Sequence, residues 1–261
     1  MSKASVLKRK HELIGKEFDT NRCGKCVVVD YEGASEVTVQ FIGYKNLVKC
    51  TLGWLKVGRV VNPMHPLTYG VGYMGIGEFT SKDKRLYNLW NTMLKRSYCE
   101  KYHLRQPSYR GVSVCDEWLN FQNFAEWCCN QDFFNSKDDV GKSYHLDKDL
   151  LVKGNKVYSP ETCCFIPEEI NSSITTRSSS NNVSKVVGVF KHKTTKRYRV
   201  FSNTIGQKRK HVGYYKTSEE AFEVYKRIRE LHNKALAEKW KGKIDDKVYM
   251  ALLTRKIELS D

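Results

Sequence analysis

No apolar run in the 261 residues approaches the ~20 residues that span a bilayer. The N-terminus, MSKASVLKRKHELIGKEF, has basic residues but no apolar stretch followed by a small-residue cleavage site. Membrane insertion and secretion are therefore not expected, and a cytoplasmic location is. The nine cysteines are odd in number and include two adjacent pairs, Cys128-Cys129 and Cys163-Cys164, a pattern that suits reduced thiols and excludes a disulfide framework. Cys23 and Cys26 form a CxxC, but no second CxxC and no closely spaced His pair accompanies it, so the segment reads as a turn and strand start, not a zinc site. Nucleophile-elbow, phosphate-loop and dinucleotide signatures are absent, and YGVGYMGIG imitates a phosphate-binding loop only superficially. Acidic residues are scarce too: 29 Asp and Glu against 45 Lys and Arg leave a net charge of +16. Such an excess calls for a polyanionic partner. The basic segments carry strand patterns and not an amphipathic membrane helix, which favours nucleic acid over a membrane surface.

The length predicts more than one compact unit, and the patterns predict an α+β, multidomain chain. Over residues 1–62, the runs Val27–Val29, Val37–Phe41 and Leu47–Cys50, separated by Gly33 and Gly43, predict a small SH3-like β-barrel. Residues 63–80, rich in Gly and Pro, read as an ordered linker, since Tyr69, Tyr73, Met74 and Ile76 favour burial. From Ser81, Leu86, Leu89, Trp90, Met93 and Leu94 recur at helical spacing. The strand Gly111–Cys115 and a second helix from Asn120, carrying Phe121, Phe124, Ala125 and Cys128 on one face, follow within a unit covering 81–175. The small polar stretch 176–185 is a linker, residues 186–241 a further domain, and 242–261 a tail.

Within YHLDKDLLVKGNKVYSPETCCFIPEEIN, two short apolar stretches joined by a Gly-Asn turn precede a helix near Pro167, which predicts a ββα unit. Such a unit holds a divalent metal between a strand carboxylate and a helix side chain while a neighbouring base activates water. This segment, together with LYNLWNTMLKRSYCEKY, RGVSVCDEW and NFQNFAEW before it, resembles the HNH-type homing endonucleases of phages over residues 84–171. The resemblance implies metal-dependent hydrolysis of DNA with Mg²⁺ or another divalent metal, in the cytoplasm of a bacterial host if the chain is phage-encoded. It gives Asp147 the metal-ligand role and Asn171 the closing helical position. Lys148 stands where the family has its general-base His, and Thr162 where it has an Asn.

Strand periodicity places His145, Asp147 and Asp149 on one face, able to converge on a metal and a water, with Lys148 on the other. An ordinary His is largely deprotonated near neutral pH and an ordinary Lys is not. His145 is thus the candidate base, Lys148 a phosphate contact or transition-state clamp, and Asp147, Asp149 and Asn171 the metal set. The competing expectation is that the charged triplet is a solvated turn and the chain a non-catalytic DNA-binding protein.

Residues 186–217 show three strand patterns, followed by a helix from Ser218 with Phe222, Tyr225, Ile228, Leu231 and Ala235 as its apolar face. Between Asn181 and Trp240, fifteen Lys and Arg face five Glu, a net of +10. Gly188-Val189, Tyr198-Arg199-Val200, the run from Gly213 to Ala221 and Tyr225 together resemble the APETALA2-type domain, which implies a three-stranded sheet lying in the major groove of double-stranded DNA with the helix behind it. Alternation sends Val189, Val200 and Val212 to the helix and Phe190, His192, Arg199, Asn203, Arg209 and His211 to DNA. Lys191, Lys193, Arg197 and Lys210 complete the DNA-binding set, with Lys191 and Lys193 acting through the backbone. RNA is an alternative partner, because Phe190 and Phe201 could stack on unpaired bases.

Overall fold

The computed structural model describes residues 3–174, 186–202 and 210–259. The chain is α+β with several small sheets, and it divides into two compact units, residues 1–128 and 129–261. Among the described residues no helix is long and apolar enough to cross a membrane.

The first unit opens with helix α1 (Lys3–Leu13), then strands β1 (Glu17–Thr20), β2 (Gly24–Gly33), β3 (Glu36–Phe41) and β4 (Leu47–Cys50), and helix α2 (Leu52–Lys56). The strands form an antiparallel meander in the order β1-β2-β3-β4. Strict alternation in β3 buries Val37, Val39 and Phe41 on one face. The expected barrel does not close among the described residues. The buried face is covered instead by helices, with Leu13 of α1 and Leu52 and Leu55 of α2 joining Val28, Tyr31, Val37, Val39 and Phe41 in one core. Four strands give too small a circumference to close, and α1 and α2 shield the apolar face in place of a returning strand.

The CxxC begins β2 as expected. Cys23 lies in the turn, Gly24 takes φ +73°, and Cys26 is fully buried, its thiol pushed up to about 11 chiefly by burial and then by Cys50. All nine cysteines are free thiols.

Helix α3 (Lys84–Tyr98) buries Leu86, Trp90, Met93 and Leu94, and α4 (Glu100–Arg105) follows. After β5 (Ser113–Val114) and α5 (Asp116–Leu119), α6 (Phe121–Cys129) buries Phe121, Phe124, Ala125 and Cys128, the face its spacing predicts. The stretch 63–80 is strapped to α6. Gln122 donates through Nε2 to the Met74 and Phe79 carbonyls, both at 2.9 Å, and accepts from Phe79 N–H at 3.0 Å. Gly75, at φ +73°, has room for no side chain, because a Cβ would strike the Asn120 amide. Tyr69 and Ile76 stay exposed, against expectation, because the strap is held by polar bonds and tight glycine contacts in place of buried side chains.

The second unit contains β6 (His145–Asp147), β7 (Val157–Tyr158), β8 (Cys164–Ile166) and α7 (Glu168–Ile174). Next come β9 (Val189–Lys191), β10 (Tyr198–Ser202) and β11 (Lys210–Tyr215), then α8 (Ser218–Trp240) and α9 (Asp246–Thr254). β9, β10 and β11 form an antiparallel sheet in the order β11-β10-β9. Val189, Val200, Ala221 and Phe222 seal it against α8, with Ile257 joining from beyond α9. Thr217 and Glu220 form a reciprocal capping box that starts α8.

Two details depart from the expected faces. Leu231 is 59% exposed and Ala235 is exposed, whereas His232, Asn233, Leu236, Ala237 and Trp240 are buried. Steps of three residues lag by about 60° each on an α-helix, so nine residues beyond Phe222 the chain faces the opposite side. Val212 is 39% exposed because the ladder shifts between Val200 and Phe201: Val200 pairs with Gly213 and Phe201 with His211, so Val212 opposes neither. Tyr215 takes its place against the core. The stretch 242–261, read as a tail, contains α9, whose Val248 and Leu252 are buried.

Candidate functional site

β6 and β8 pair antiparallel, His145 with Ile166 and Asp147 with Cys164, and α7 follows directly. The expected tight Gly-Asn hairpin is replaced by an excursion over residues 148–163 that includes β7, with Gly154 at φ +77°. Asp147 is only 8% exposed. Its Oδ2 accepts the N–H groups of Asp149 at 3.0 Å and Leu150 at 2.7 Å, which fixes the carboxylate and turns the chain out of the strand. Burial, followed by the Asp149 charge, pushes its pKa up to about 6, against the lowering effect of those two bonds.

The turn ends β6 at Asp147, so Asp149 is not in the strand and does not share a strand face with His145 and Asp147. His145 is exposed at the strand start, and the nearby Glu168 carboxylate is held low chiefly by Lys142, whose Nζ lies 2.5 Å away. Asp149 is engaged by Lys148 at 3.0 Å. Asn171 sits partly exposed on α7. Among the described residues no group of three or more His, Cys, Asp or Glu side chains is placed to hold a metal, so His145, Asp147 and Asp149 do not converge as the strand pattern predicted. A hard cation such as Mg²⁺ takes one or two carboxylates and completes its shell with water and phosphate oxygens. A buried, oriented Asp147 fits that smaller requirement, whereas the three-residue set does not form.

Lys148 is the clearest revision. Its side chain is 11% exposed, and Nζ donates to the Asn155 carbonyl and to Asp149 Oδ2, each at 3.0 Å. Asn155 closes the same turn, donating to the Lys148 carbonyl at 2.7 Å and the Val157 carbonyl at 2.6 Å and accepting from Val157 N–H at 3.1 Å. Asn155 was legible only as half of a Gly-Asn turn. Its side chain ties the start of the excursion at Lys148 to the start of β7 at Val157.

α7 is held from α8. Arg229 donates to the Ser173 carbonyl, and His232 Nε2 meets Ser173 Oγ at 3.0 Å. Lys239 and Trp240 both reach the Glu169 carboxylate, at 2.7 and 2.8 Å. Burial, then the Arg229 charge, depresses the His232 pKa.

The helix-remote face of the second unit's sheet bears Phe190, Arg199 and His211 of the candidate nucleic-acid residues, whereas Lys191 and Lys210 alternate onto the other face. Arg199 lies in register between Phe190 on β9 and Tyr214 on β11, and Phe201 lies beside His211. The Arg199 guanidinium stands 5.4 Å from the Phe201 ring centre, and Lys191 stands 5.8 Å from that of Tyr198. His192 accepts from Thr195 N–H at 3.2 Å in the turn leading to β10. Lys193, Arg197, Lys210 and His211 are exposed. Asn203 and Arg209 lie outside the described residues. Tyr214 was missed as an outward residue, because simple alternation assigns the core position to Val212.

Compared with protein-family models, curated proteins and solved structures, the chain matches none.

Proposed function

We propose that the chain is a metal-dependent DNA endonuclease of the HNH type that hydrolyses a phosphodiester bond of double-stranded DNA at Asp147 and holds the DNA through its C-terminal basic sheet. The observation that carries this reading is the buried Asp147 carboxylate, pinned by two backbone N–H groups on a strand followed within the same unit by α7 and by the basic sheet. Buried carboxylates with raised pKa and no matched salt bridge are concentrated at functional sites. A divalent cation bound there supplies charge neutralisation at the scissile phosphate and a more acidic water.

The chain's own residues then have separate tasks. Asp147 holds the cation, Asn171 on the following helix is its second candidate ligand, and His145 takes the proton of the attacking water. Lys148 does not serve as a base, because its ammonium closes the turn that orients Asp147. Lys191, Lys193, Arg197 and Lys210 grip phosphates, and Arg199 reaches base edges.

Incubation of the purified protein with supercoiled plasmid tests the reading, since nicking is visible without knowledge of the target. Nicking should require Mg²⁺ and vanish in Asp147→Ala with duplex binding kept. It should fall by roughly a hundredfold in His145→Ala, as loss of a general base does. A second reading, a non-catalytic DNA-binding protein, is favoured by the failure of His145, Asp147 and Asp149 to converge. Tight duplex binding with no cleavage in any divalent metal would establish it.

A further inference from the structure

The sheet face turned away from α8 carries an unbroken chain of rings. Phe190 meets Phe201 at 5.8 Å between centres, Phe201 meets His211 at 5.6 Å, His211 meets Tyr214 at 4.7 Å, and Tyr214 meets His192 at 5.4 Å. Tyr214 is 46% exposed and His211 is exposed, so the chain of rings reaches the surface and is not a second core. Arg199 sits within it, and the exposed Lys193 and Arg197 lie in the connection between β9 and β10, where His192 N–H donates to the Arg197 carbonyl.

A duplex displays base edges in its grooves, which are read by hydrogen-bonding side chains. Phenyl and phenol rings find little purchase there beyond thymine methyl groups. Unpaired bases display flat π faces, which stack on aromatic side chains whatever their sequence, while surrounding cations hold the backbone. We infer that this face is a stacking platform for unpaired DNA bases, so that the sheet engages a single-stranded or locally opened segment and not an intact major groove. The inference rests on the reading that the sheet binds DNA, and it narrows the substrate to DNA with unpaired nucleotides.

The test uses the full-length protein without divalent metal, in matched salt, with a twelve-nucleotide single strand carrying 2-aminopurine and the corresponding duplex. The single strand should bind at least tenfold more tightly, with the 2-aminopurine emission quenched by stacking. Tyr214→Leu and Phe201→Leu should each lose roughly 5- to 150-fold in single-strand affinity, the loss expected for one stacking ring. Duplex affinity should change less than twofold. Tyr214→Phe, which keeps the ring, should restore both binding and quenching, and because Tyr214 is exposed this pair of variants stays informative if Phe201→Leu unfolds.

Equal or better binding of the duplex, or full single-strand affinity in Tyr214→Leu, overturns the platform while leaving the plasmid-nicking result untouched. Tenfold tighter binding of the ribose oligomer of the same sequence overturns it in favour of RNA. Binding of neither strand form removes the DNA reading of the sheet as well.

Discussion

Replacing Asp147 by Asn should make the protein more stable at neutral pH while abolishing cleavage. The carboxyl titrates at about 6 in the fold against an ordinary 3.8, so the folded state holds its proton more tightly than the unfolded chain does. Below pH 3.8 both states are protonated and the site costs nothing. Between 3.8 and 6 the unfolded chain ionises first, and stability falls as pH rises. Above 6 the full penalty is present, about 3 kcal/mol for a shift of about two units. Asn is neutral and nearly isosteric, and its side-chain oxygen can accept the same N–H groups of Asp149 and Leu150. Urea unfolding of both proteins between pH 4.5 and 7.5 reads the difference directly. The gap should open with rising pH toward an upper limit of about 3 kcal/mol in favour of the variant. Added Mg²⁺ should narrow it by stabilising the native protein alone. A pH-independent gap, or a variant less stable at pH 7.5, would refute the assignment of Asp147 as a carboxylate held against its own desolvation.

Asn155→Ala should destabilise the second unit by about 1–3 kcal/mol, since the Lys148 and Val157 carbonyls and Val157 N–H lose their partner together; an unchanged thermal midpoint would count against that closure. Thr217→Ala should lower stability by about 1 kcal/mol through loss of the capping box, measured by denaturant unfolding, with Thr217→Ser restoring most of it. Lys193→Ala should weaken binding to all DNA sequences alike and flatten the salt dependence by about one unit, whereas Arg199→Ala should relax sequence preference; binding titrations across salt and sequence would find equal effects if both residues touched only phosphates.

The local patterns that reached their structural conclusion are those whose partners lie within a turn or two. Leu86, Trp90, Met93 and Leu94 repeat at helical spacing and are buried, and Val37, Val39 and Phe41 alternate and are buried. The concentration of charge between Asn181 and Trp240 needs no coordinates at all. Other features were decided by partners distant in sequence. A ladder shift on β10 turned Val212 outward and Tyr214 onto the open face, and no reading of β11 alone contains that shift. The buried face of α8 rotates from Phe222 to His232 and Trp240 because its second half packs on α9 and hydrogen-bonds to α7, dozens of residues upstream. Lys148 was already excluded as a base by its ordinary charge and read as a phosphate contact, but the folded turn commits its ammonium to the Asn155 carbonyl and Asp149 instead. Backbone periodicity thus determined which elements form, whereas ladder register and long-range hydrogen bonds determined which side chains each element presents, because a shift of one residue or a rotation of half a turn exchanges buried for exposed without altering the element itself.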